Sequence, residues 1–324
     1  MSIFTLDFMI RALLAATLTG LMAPAVGTYI VQRRLSLLGD GLGHVAIAGV
    51  GLALMTGHAP VPVAVAICVV GAIAIELLRQ SGKATGDVGL AILFYGGLAA
   101  GVLMAGIAGK GAGTLSQYLF GSLTSVDSTD LKVVAIMAAI VLACSLGMAP
   151  QLFAVCADED FGRSQGVPTR IFNILIVVLA AITVAVSMRT VGLLLVSAMM
   201  VVPVATSSNI VLGFKKSLVF SMLIGLFTSV GGVTCSYYLD TASGATIVVL
   251  AILVYMASLP ISSFIQRRHR KAPQEQPAEV FPRAEEHESL EQAKNYPAML
   301  HGDHVDYLHN GHRHAPHGDH FDEH

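Results

Sequence analysis

The chain has 324 residues, of which 54% are hydrophobic and only 12% are charged, and its formal net charge is −2. An ordinary soluble domain carries about 25% charged residues, so this composition argues against a soluble globular protein and favours one that lies in lipid. The four cysteines form no CxxC pair and no disulfide framework, which excludes a small secreted scaffold. We expect no nucleic-acid partner.

Long apolar runs recur along the chain, separated by short polar stretches. A helix needs about 20 apolar residues to cross the roughly 30 Å hydrocarbon core of a bilayer, and these runs reach that length. We therefore predict an all-α, polytopic membrane protein with eight or nine transmembrane helices, the second and seventh segments being short or interrupted by Gly or Pro. The candidate segments are 8–31, 37–56, 60–78, 87–108, 131–151, 171–188, 190–207, 217–238 and 245–265.

Lysine and arginine residues concentrate in alternate loops between these segments. The positive-inside rule places the richer set of loops in the cytoplasm, with the N-terminus outside and the C-terminus inside. Only Lys110, Lys132 and Arg189, with Arg11 near the outer end of the first segment, fall on the other side. The cytoplasmic set comprises Arg33, Arg34, Arg79, Lys83, Arg163, Arg170, Lys215, Lys216, Arg267, Arg268, Arg270 and Lys271.

The composition changes at about residue 267. Residues 268–324 are rich in Pro, Glu, Gln and His and contain few large aliphatic side chains. Such a segment buries too little apolar surface to offset the entropy lost on folding. We predict a transmembrane domain over 1–267, followed by a disordered, His-rich cytoplasmic tail over 268–324.

Two ionisable residues lie inside the second apolar segment. Asp40 and His44 are four residues apart, so on a helix they share one face and can reach a common ligand. A carboxylate in a membrane span costs roughly 2.5–3.5 kcal/mol on insertion scales and usually marks a transport pathway. A carboxylate oxygen and an imidazole nitrogen also form an ordinary ligand pair for divalent first-row metals. The spacing alone leaves a second interpretation open, in which Asp40 lies at the membrane edge and His44 is hydrogen-bonded to a backbone carbonyl.

The residues around this pair resemble a known motif. Residues 33–49 read RRLSLLGDGLGHVAIAG, which is similar to the R-R-x-S-x-x-G-D-x-x-x-H-x-x-x-x-G motif of the zinc/manganese family of bacterial ABC permeases. Weaker matches follow in the family's order at 158–167, 192–205 and 240–244. The resemblance covers about residues 7–265.

This resemblance implies a function, a site and a set of partners. It implies the membrane-spanning subunit of a bacterial inner-membrane ABC importer, with Asp40 and His44 as the metal site. The cargo is then a divalent transition metal, with zinc favoured over manganese or iron, and no cofactor is bound permanently. The implied partners are an ATP-binding ABC subunit, an extracytoplasmic metal-binding protein and a second permease copy, identical or paralogous. Two copies supply two Asp and two His, a set of four ligands that suits tetrahedral zinc.

No nucleotide-binding motif is present in the sequence. The nearest approach to GxxxxGK[ST] lies at 106–111 and lacks the required spacing. We therefore predict a transport subunit and not an enzyme, with energy supplied by another subunit or by an ion gradient. The alternative is a proton-coupled secondary metal transporter in which Asp40 and His44 relay protons, although the chain shows no inverted halves.

The polar loop 155–169 is the candidate contact with the ATPase. Asp158, Glu159 and Asp160 precede Gly166 and Pro168, a pattern that predicts a short acidic helix ending at the glycine. The resemblance implies that this is the coupling helix of the family. A plain solvated loop is the alternative.

Histidines dominate the predicted tail. The tetrad His-Gly-Asp-His occurs twice, at 301–304 and at 317–320, and carboxylates are interleaved with the imidazoles. Imidazoles beside carboxylates are good ligands for zinc, nickel and copper. A low-complexity segment without metal affinity is the alternative. The candidate tail ligands are His301, His304, His309, His312, His314, His317, His320 and His324, and His287 precedes them.

Overall fold

The computed structural model describes residues 7–81, 86–109, 112–121, 128–188, 191–270, 296–301, 304–309, 312–317 and 320–323. The chain divides into two compact units, Met1–Ile265 and Gln266–His324, and each is described by itself. In the described residues the helices are α1 (Asp7–Gln32), α2 (Leu38–Thr56), α3 (Pro60–Gln80), α4 (Gly86–Ile107), α5 (Ala112–Phe120), α6 (Ser128–Gly147), α7 (Ala149–Ala157), α8 (Glu159–Ser164), α9 (Thr169–Ser187), α10 (Leu193–Ile210), α11 (Phe214–Leu239) and α12 (Ser243–Arg270).

Eight of the described helices are long and apolar enough to cross a membrane. They are α1, α2, α3, α4, α6, α9, α11 and α12. A ninth helix, α10, has a shorter apolar part, Leu195–Ile210, and contains Pro203. The prediction of an all-α membrane protein with eight or nine spans is therefore confirmed. The fifth predicted segment, 131–151, is displaced, because α6 ends at Gly147 and Pro150 lies in the first turn of a separate short helix, α7.

The spanning helices differ in how much of their surface is covered. In α2, 78% of the spanning window is buried within the chain, whereas in α4 the fraction is 11%. The outward face of α4 carries large apolar side chains such as Ile92, Tyr95 and Leu103. Helix α2 packs along α4 on one side and also contacts α3, α9 and α10. Helix α2 is therefore largely enclosed by apolar helices of the described chain.

The second unit contains four short strands, β1 (Ala298–His301), β2 (His304–His309), β3 (His312–His317) and β4 (His320–Glu323). They form an antiparallel sheet in the order β1-β2-β3-β4. Here the structure differs from the disorder predicted for the tail, while residues 271–295 of that tail lie outside the described residues. The physical reason lies in the connections: two residues separate consecutive strands, with the sequences Gly-Asp, Asn-Gly and Gly-Asp. Such pairs favour two-residue hairpins, so short strands pair locally without a large apolar core.

Candidate metal site

The turn before α2 sets the position of Asp40. Helix α1 ends at Gln32, and Arg34 adopts a left-handed conformation with φ 59° that reverses the chain. Helix α2 then begins at Leu38, which places Asp40 in its first turn. A carboxylate is favourable there because the first turn carries the positive end of the helix dipole.

His44 follows one turn later on the same face of α2. Its side chain is buried, with 6% exposed, and its Nδ1 atom has no hydrogen-bond partner among the described residues. A buried polar nitrogen without a partner costs roughly 1–3 kcal/mol. Among the described residues, no backbone carbonyl accepts a hydrogen bond from this atom.

A cavity of about 290 Å³ lies beside Asp40, between α2 and α4. The ring of Phe94 lies next to the imidazole of His44, with ring centroids 3.9 Å apart and an interplanar angle of 59°. The cavity therefore has one acidic group and otherwise apolar walls. Its lining consists of Leu37, Asp40, Gly41, Leu90, Ala91, Phe94 and Tyr95.

Gly97 brings the backbone of α4 against that of α2. A Cβ atom built on Gly97 would lie 2.6 Å from the carbonyl carbon of His44 and 2.7 Å from its oxygen. Gly101, four residues later, makes the same kind of approach to Ile47. This Gly-x-x-x-Gly spacing lets two membrane helices touch along their backbones. The position of His44 is thus fixed by a contact that admits no side chain.

The single chain supplies an incomplete ligand set. Asp40 and His44 offer one oxygen and one nitrogen ligand, whereas zinc in proteins takes four ligands in most structural sites. In the part of the chain that the structure describes, no group of three or more His, Cys, Asp or Glu residues could hold a metal ion. A metal site at Asp40 and His44 with four protein ligands would therefore need two ligands from beyond the described residues.

A buried ion cluster lies at the predicted cytoplasmic end of the spans. Arg79 donates two hydrogen bonds to the Glu76 carboxylate, at 2.9 and 2.7 Å, and Arg33 approaches it at 4.0 Å. Gln80 also donates to Glu76, at 2.9 Å, and accepts from Arg170 at 2.9 Å. Burial and the nearby Arg79 charge lower the pKa of the Arg33 guanidinium, and Glu76 opposes this effect. This cluster ties the chain after α1 to the ends of α3 and α9.

The acidic loop contains the short helix α8, and its acidic residues have different roles. Asp158 is the N-cap, since its carboxylate accepts a hydrogen bond from the Phe161 amide at 2.9 Å. Glu159 accepts from Asn173 at 3.1 Å and lies 3.7 Å from Arg163. Asp160 and Phe161 are exposed. Gly166 follows with φ 78°, a conformation that ends the turn and suits glycine.

Seven of the eight predicted tail ligands lie on strands. His301 ends β1, His304 and His309 bound β2, His312, His314 and His317 lie on β3, and His320 begins β4. His324 lies outside the described residues. His287 does so as well.

The sequence prediction named Asp40 and His44 but missed the residues of α4 that hold them. Gly97 and Gly101 form a Gly-x-x-x-Gly pattern in the sequence, and this pattern could have predicted the close contact of α4 with another helix. Phe94 has no such signal, because an aromatic residue in a membrane span is common and only the tertiary fold places it against His44.

Comparison with known proteins identifies the family. The family model described as the ABC 3 transport family matches residues 5–262, which is most of the chain. The chain is 26% identical over 253 residues to the high-affinity zinc uptake system membrane protein ZnuB of Haemophilus influenzae, covering 78% of this chain and 97% of that protein. It is 30% identical over 250 residues to the manganese transport system membrane protein MntC of Halalkalibacterium halodurans, covering 77% and 85%. It is 29% identical over 259 residues to the chelated iron transport system membrane protein YfeD of Yersinia pestis, covering 79% and 86%.

A solved structure agrees with these relatives. The structure of PsaBC from Streptococcus pneumoniae in complex with Fab matches with a TM-score of 0.74 and 27% identity, covering 82% of this chain and 96% of that one. The family match replaces the alternative of a proton-coupled secondary transporter. Permeases of this type are not enzymes, because ATP hydrolysis belongs to a separate subunit. The chain belongs to the ABC 3 transport family and is the multi-pass inner-membrane permease subunit of a metal ABC importer, which works with an ATPase subunit and a substrate-binding protein.

Proposed function

We propose that the chain imports zinc, and that Asp40 and His44 bind the ion inside the membrane. The observation that carries this proposal is the buried Nδ1 atom of His44, which lacks a partner one turn from a carboxylate that lines a cavity. A neutral imidazole nitrogen and a carboxylate oxygen are the ligands that zinc accepts.

A second copy of the permease completes the site. Each chain offers two ligands, and a two-fold axis beside α2 would bring together two Asp40 and two His44 side chains. The exposed apolar face of α4, with Ile92, Tyr95 and Leu103, offers a surface that another helix or lipid covers. A homodimer is the simplest arrangement. A paralogous partner with an equivalent Asp and His would also supply the two further ligands.

The preference for zinc over manganese or iron is the finer part of the proposal. Relatives named for zinc, manganese and iron all match this chain, so the family alone does not select the metal. Two imidazole and two carboxylate ligands suit a four-coordinate tetrahedral ion, whereas manganese favours oxygen-rich, six-coordinate sites. Zinc therefore fits the ligand set best.

Helix α8 is the proposed contact with the ATPase. Asp158 and Glu159 are engaged within the chain, as the cap and as the acceptor from Asn173. The contact surface then consists of exposed Asp160 and Phe161, with Gly166 ending the turn. An exposed aromatic side chain on a short helix is the kind of anchor that fills a groove of a partner.

Zinc uptake in a strain that lacks its own importer tests the membrane site. Asp40→Asn and His44→Gln keep the size of each side chain and remove one ligand, so each should abolish uptake of radioactive zinc. The matched controls are Asp7→Asn and His58→Gln, which change exposed residues of the same types and should leave uptake unchanged.

Competition between unlabelled metals and radioactive zinc identifies the transported metal. Measuring the amount of each variant in the membrane shows whether a loss of uptake comes from a folding defect. Excess unlabelled zinc should suppress uptake more strongly than equal manganese or iron(II). Manganese competing better than zinc would contradict the zinc preference while leaving the site assignment intact. Normal uptake by both site variants at normal protein levels would contradict the site itself.

A further inference from the structure

An apolar cavity of about 390 Å³ lies at the start of α11, where α7 and the connection between α10 and α11 also contribute to its walls. Phe153 of α7 and Phe214 of α11 are part of the lining, and their ring centroids lie 4.3 Å apart. Lys215 and Lys216 also line the cavity, and both are exposed. The cavity therefore combines apolar walls with two accessible positive charges.

The two lysines have no anionic partner within the described chain. Among the described residues, neither Lys215 nor Lys216 forms an ion pair. Both lie in the first turn of α11, which contains no acidic residue. Cations are unfavourable there, because the first turn carries the positive end of the helix dipole. An anion beside the two ammonium groups would lower this electrostatic cost.

The cavity lies at the level where a membrane span begins. Helix α11 is one of the candidate spans, Phe214–Leu239, so its first turn reaches the headgroup region of the lipid, and the positive-inside rule predicts that this is the cytoplasmic side. In the preceding connection, Leu212 is 85% exposed, more than any other large apolar side chain that the structure describes. Such exposure is unfavourable in water, whereas acyl chains would cover the side chain.

We propose that this cavity binds an anionic phospholipid, with an acyl chain against the apolar walls and the phosphate beside Lys215 and Lys216. Basic pockets at the cytoplasmic ends of membrane helices bind anionic headgroups in this way. The apolar walls favour a lipid over free phosphate, which has no apolar part to fill them. The position at the start of a span favours a lipid over the ATPase, whose proposed contact is the acidic helix α8. The proposal goes beyond transport and does not depend on which metal is carried.

Photolabelling in a bilayer tests the proposal. The full-length permease, assembled with its ATPase, is placed in nanodiscs with equal amounts of phosphatidylglycerol, which is anionic, and phosphatidylcholine, which is zwitterionic. Each lipid in turn carries a photoreactive group in its acyl chain, and mass spectrometry identifies the labelled residues. A lysine near an anionic headgroup contributes about fivefold in binding, so phosphatidylglycerol should label 149–153 and 212–216 roughly 25-fold more strongly than phosphatidylcholine. Equal labelling by the two lipids, or no labelling because the ATPase covers the cavity, would overturn the proposal.

Charge removal tests the role of the two lysines. Lys215→Gln with Lys216→Gln keeps much of each side chain, and the preference for phosphatidylglycerol should disappear. The matched control, Lys132→Gln with Arg163→Gln, removes two exposed positive charges that do not line the cavity and should keep the preference. An equal loss in this control would mean that net charge alone attracts the lipid, and the assignment to this cavity would be wrong.

Filling the cavity tests the role of the apolar walls. Ala149→Phe adds a ring at a lining position, whereas Ala157→Phe adds the same ring at the other end of α7, outside the lining. Labelling by phosphatidylglycerol should fall severalfold in the first variant and persist in the second, with similar thermal unfolding of both proteins in detergent. Full labelling of Ala149→Phe would show that no acyl chain enters the cavity. Because the readout is lipid labelling, these results are independent of whether Asp40 and His44 bind metal.

Discussion

The membrane unit and the C-terminal sheet place their histidines in two different ways. In α2, Asp40 and His44 are four residues apart, which matches the helical period, so one helix offers one carboxylate and one imidazole. In the sheet, His309 and His312 are paired positions of neighbouring strands, and His314 follows two residues later. The position of His44 depends on the packing of α2 against α4, whereas the positions in the sheet depend only on strand pairing. A change that disturbs helix packing should affect the first and not the second.

Among changes away from Asp40 and His44, the largest expected effect on transport comes from the contact between α4 and α2. Gly97→Val places a branched side chain where a Cβ alone would lie 2.6 Å from the His44 carbonyl carbon, so the helices must separate. We expect zinc uptake to fall at least tenfold, which corresponds to about 1.4 kcal/mol or more.

The neighbouring glycine provides the control. A Cβ on Gly96 meets nothing within 4 Å in the described chain, so Gly96→Val introduces the same side chain without the clash. Equal loss of uptake in both variants would mean that valine acts through helix propensity or lipid contact. The close approach at Gly97 would then not be what positions His44.

The next largest effect is a loss of stability on removing the buried Glu76 carboxylate at the predicted cytoplasmic end of the spans. Glu76→Ala leaves Arg33 and Arg79 without their shared partner, and breaking a buried ion pair costs about 3–5 kcal/mol. We expect a lower unfolding temperature and less protein in the membrane, but the same order of metal preference per inserted molecule. Thermal unfolding in detergent measures the first and metal competition the second.

An exposed Arg–Glu ion pair serves as the control for this loss of stability. Arg163→Ala breaks the Arg163–Glu159 pair, which lies at the surface at 3.7 Å, and should cost less than about 1 kcal/mol. A change of metal preference in Glu76→Ala would assign the cluster to the transport pathway and contradict its purely structural role.

A smaller and more specific effect is expected at α8. Asp160→Lys and Phe161→Ala alter exposed side chains, so ATP hydrolysis by the assembled importer should be uncoupled from uptake without loss of folded permease. Asp158→Ala should instead destabilise α8 by about 1 kcal/mol, because it removes the N-cap. Hydrolysis assays with the purified complex, read beside uptake, separate the two. Coupling that survives both surface changes would place the ATPase contact elsewhere, for example near Lys215 and Lys216.

The smallest effect on maximal uptake is expected from removing the tail. Truncation after Arg270 deletes every strand of the sheet but no residue of the spans, so the maximal rate should be nearly unchanged. Zinc retained by the purified protein should fall. In the full-length protein this retention should weaken as pH falls through about 6.5, because a histidine must be neutral to bind metal. A pronounced drop in uptake after truncation would contradict the independence of transport from the tail.

The sequence predicted the features that depend on nearby residues. The apolar runs located the spans, and the acidic loop before Gly166 and Pro168 corresponds to helix α8. The spacing of Asp40 and His44 requires only the helical period. These features follow from local composition, so one chain is enough to infer them.

The features that it missed depend on residues that meet only after folding. Phe94 lies against His44 because α2 and α4 pack together, and nothing near residue 94 marks that contact. The prediction of a disordered tail rests on its low aliphatic content, whereas the four described strands rest on backbone hydrogen bonds, which a measure of hydrophobicity does not detect.

The cluster around Glu76 also constrains how the permease can move. Arg33 lies just beyond α1, Arg79 and Gln80 end α3, and Arg170 lies in the first turn of α9. Moving the segment after α1 away from α3 would separate the buried Arg33 and Glu76 charges, and moving α9 away would break the exposed Arg170–Gln80 hydrogen bond. Relative movement at these three helix ends is therefore resisted. Helix α10 lies outside this cluster, and Pro203 removes one of its backbone hydrogen bonds, so bending costs less there.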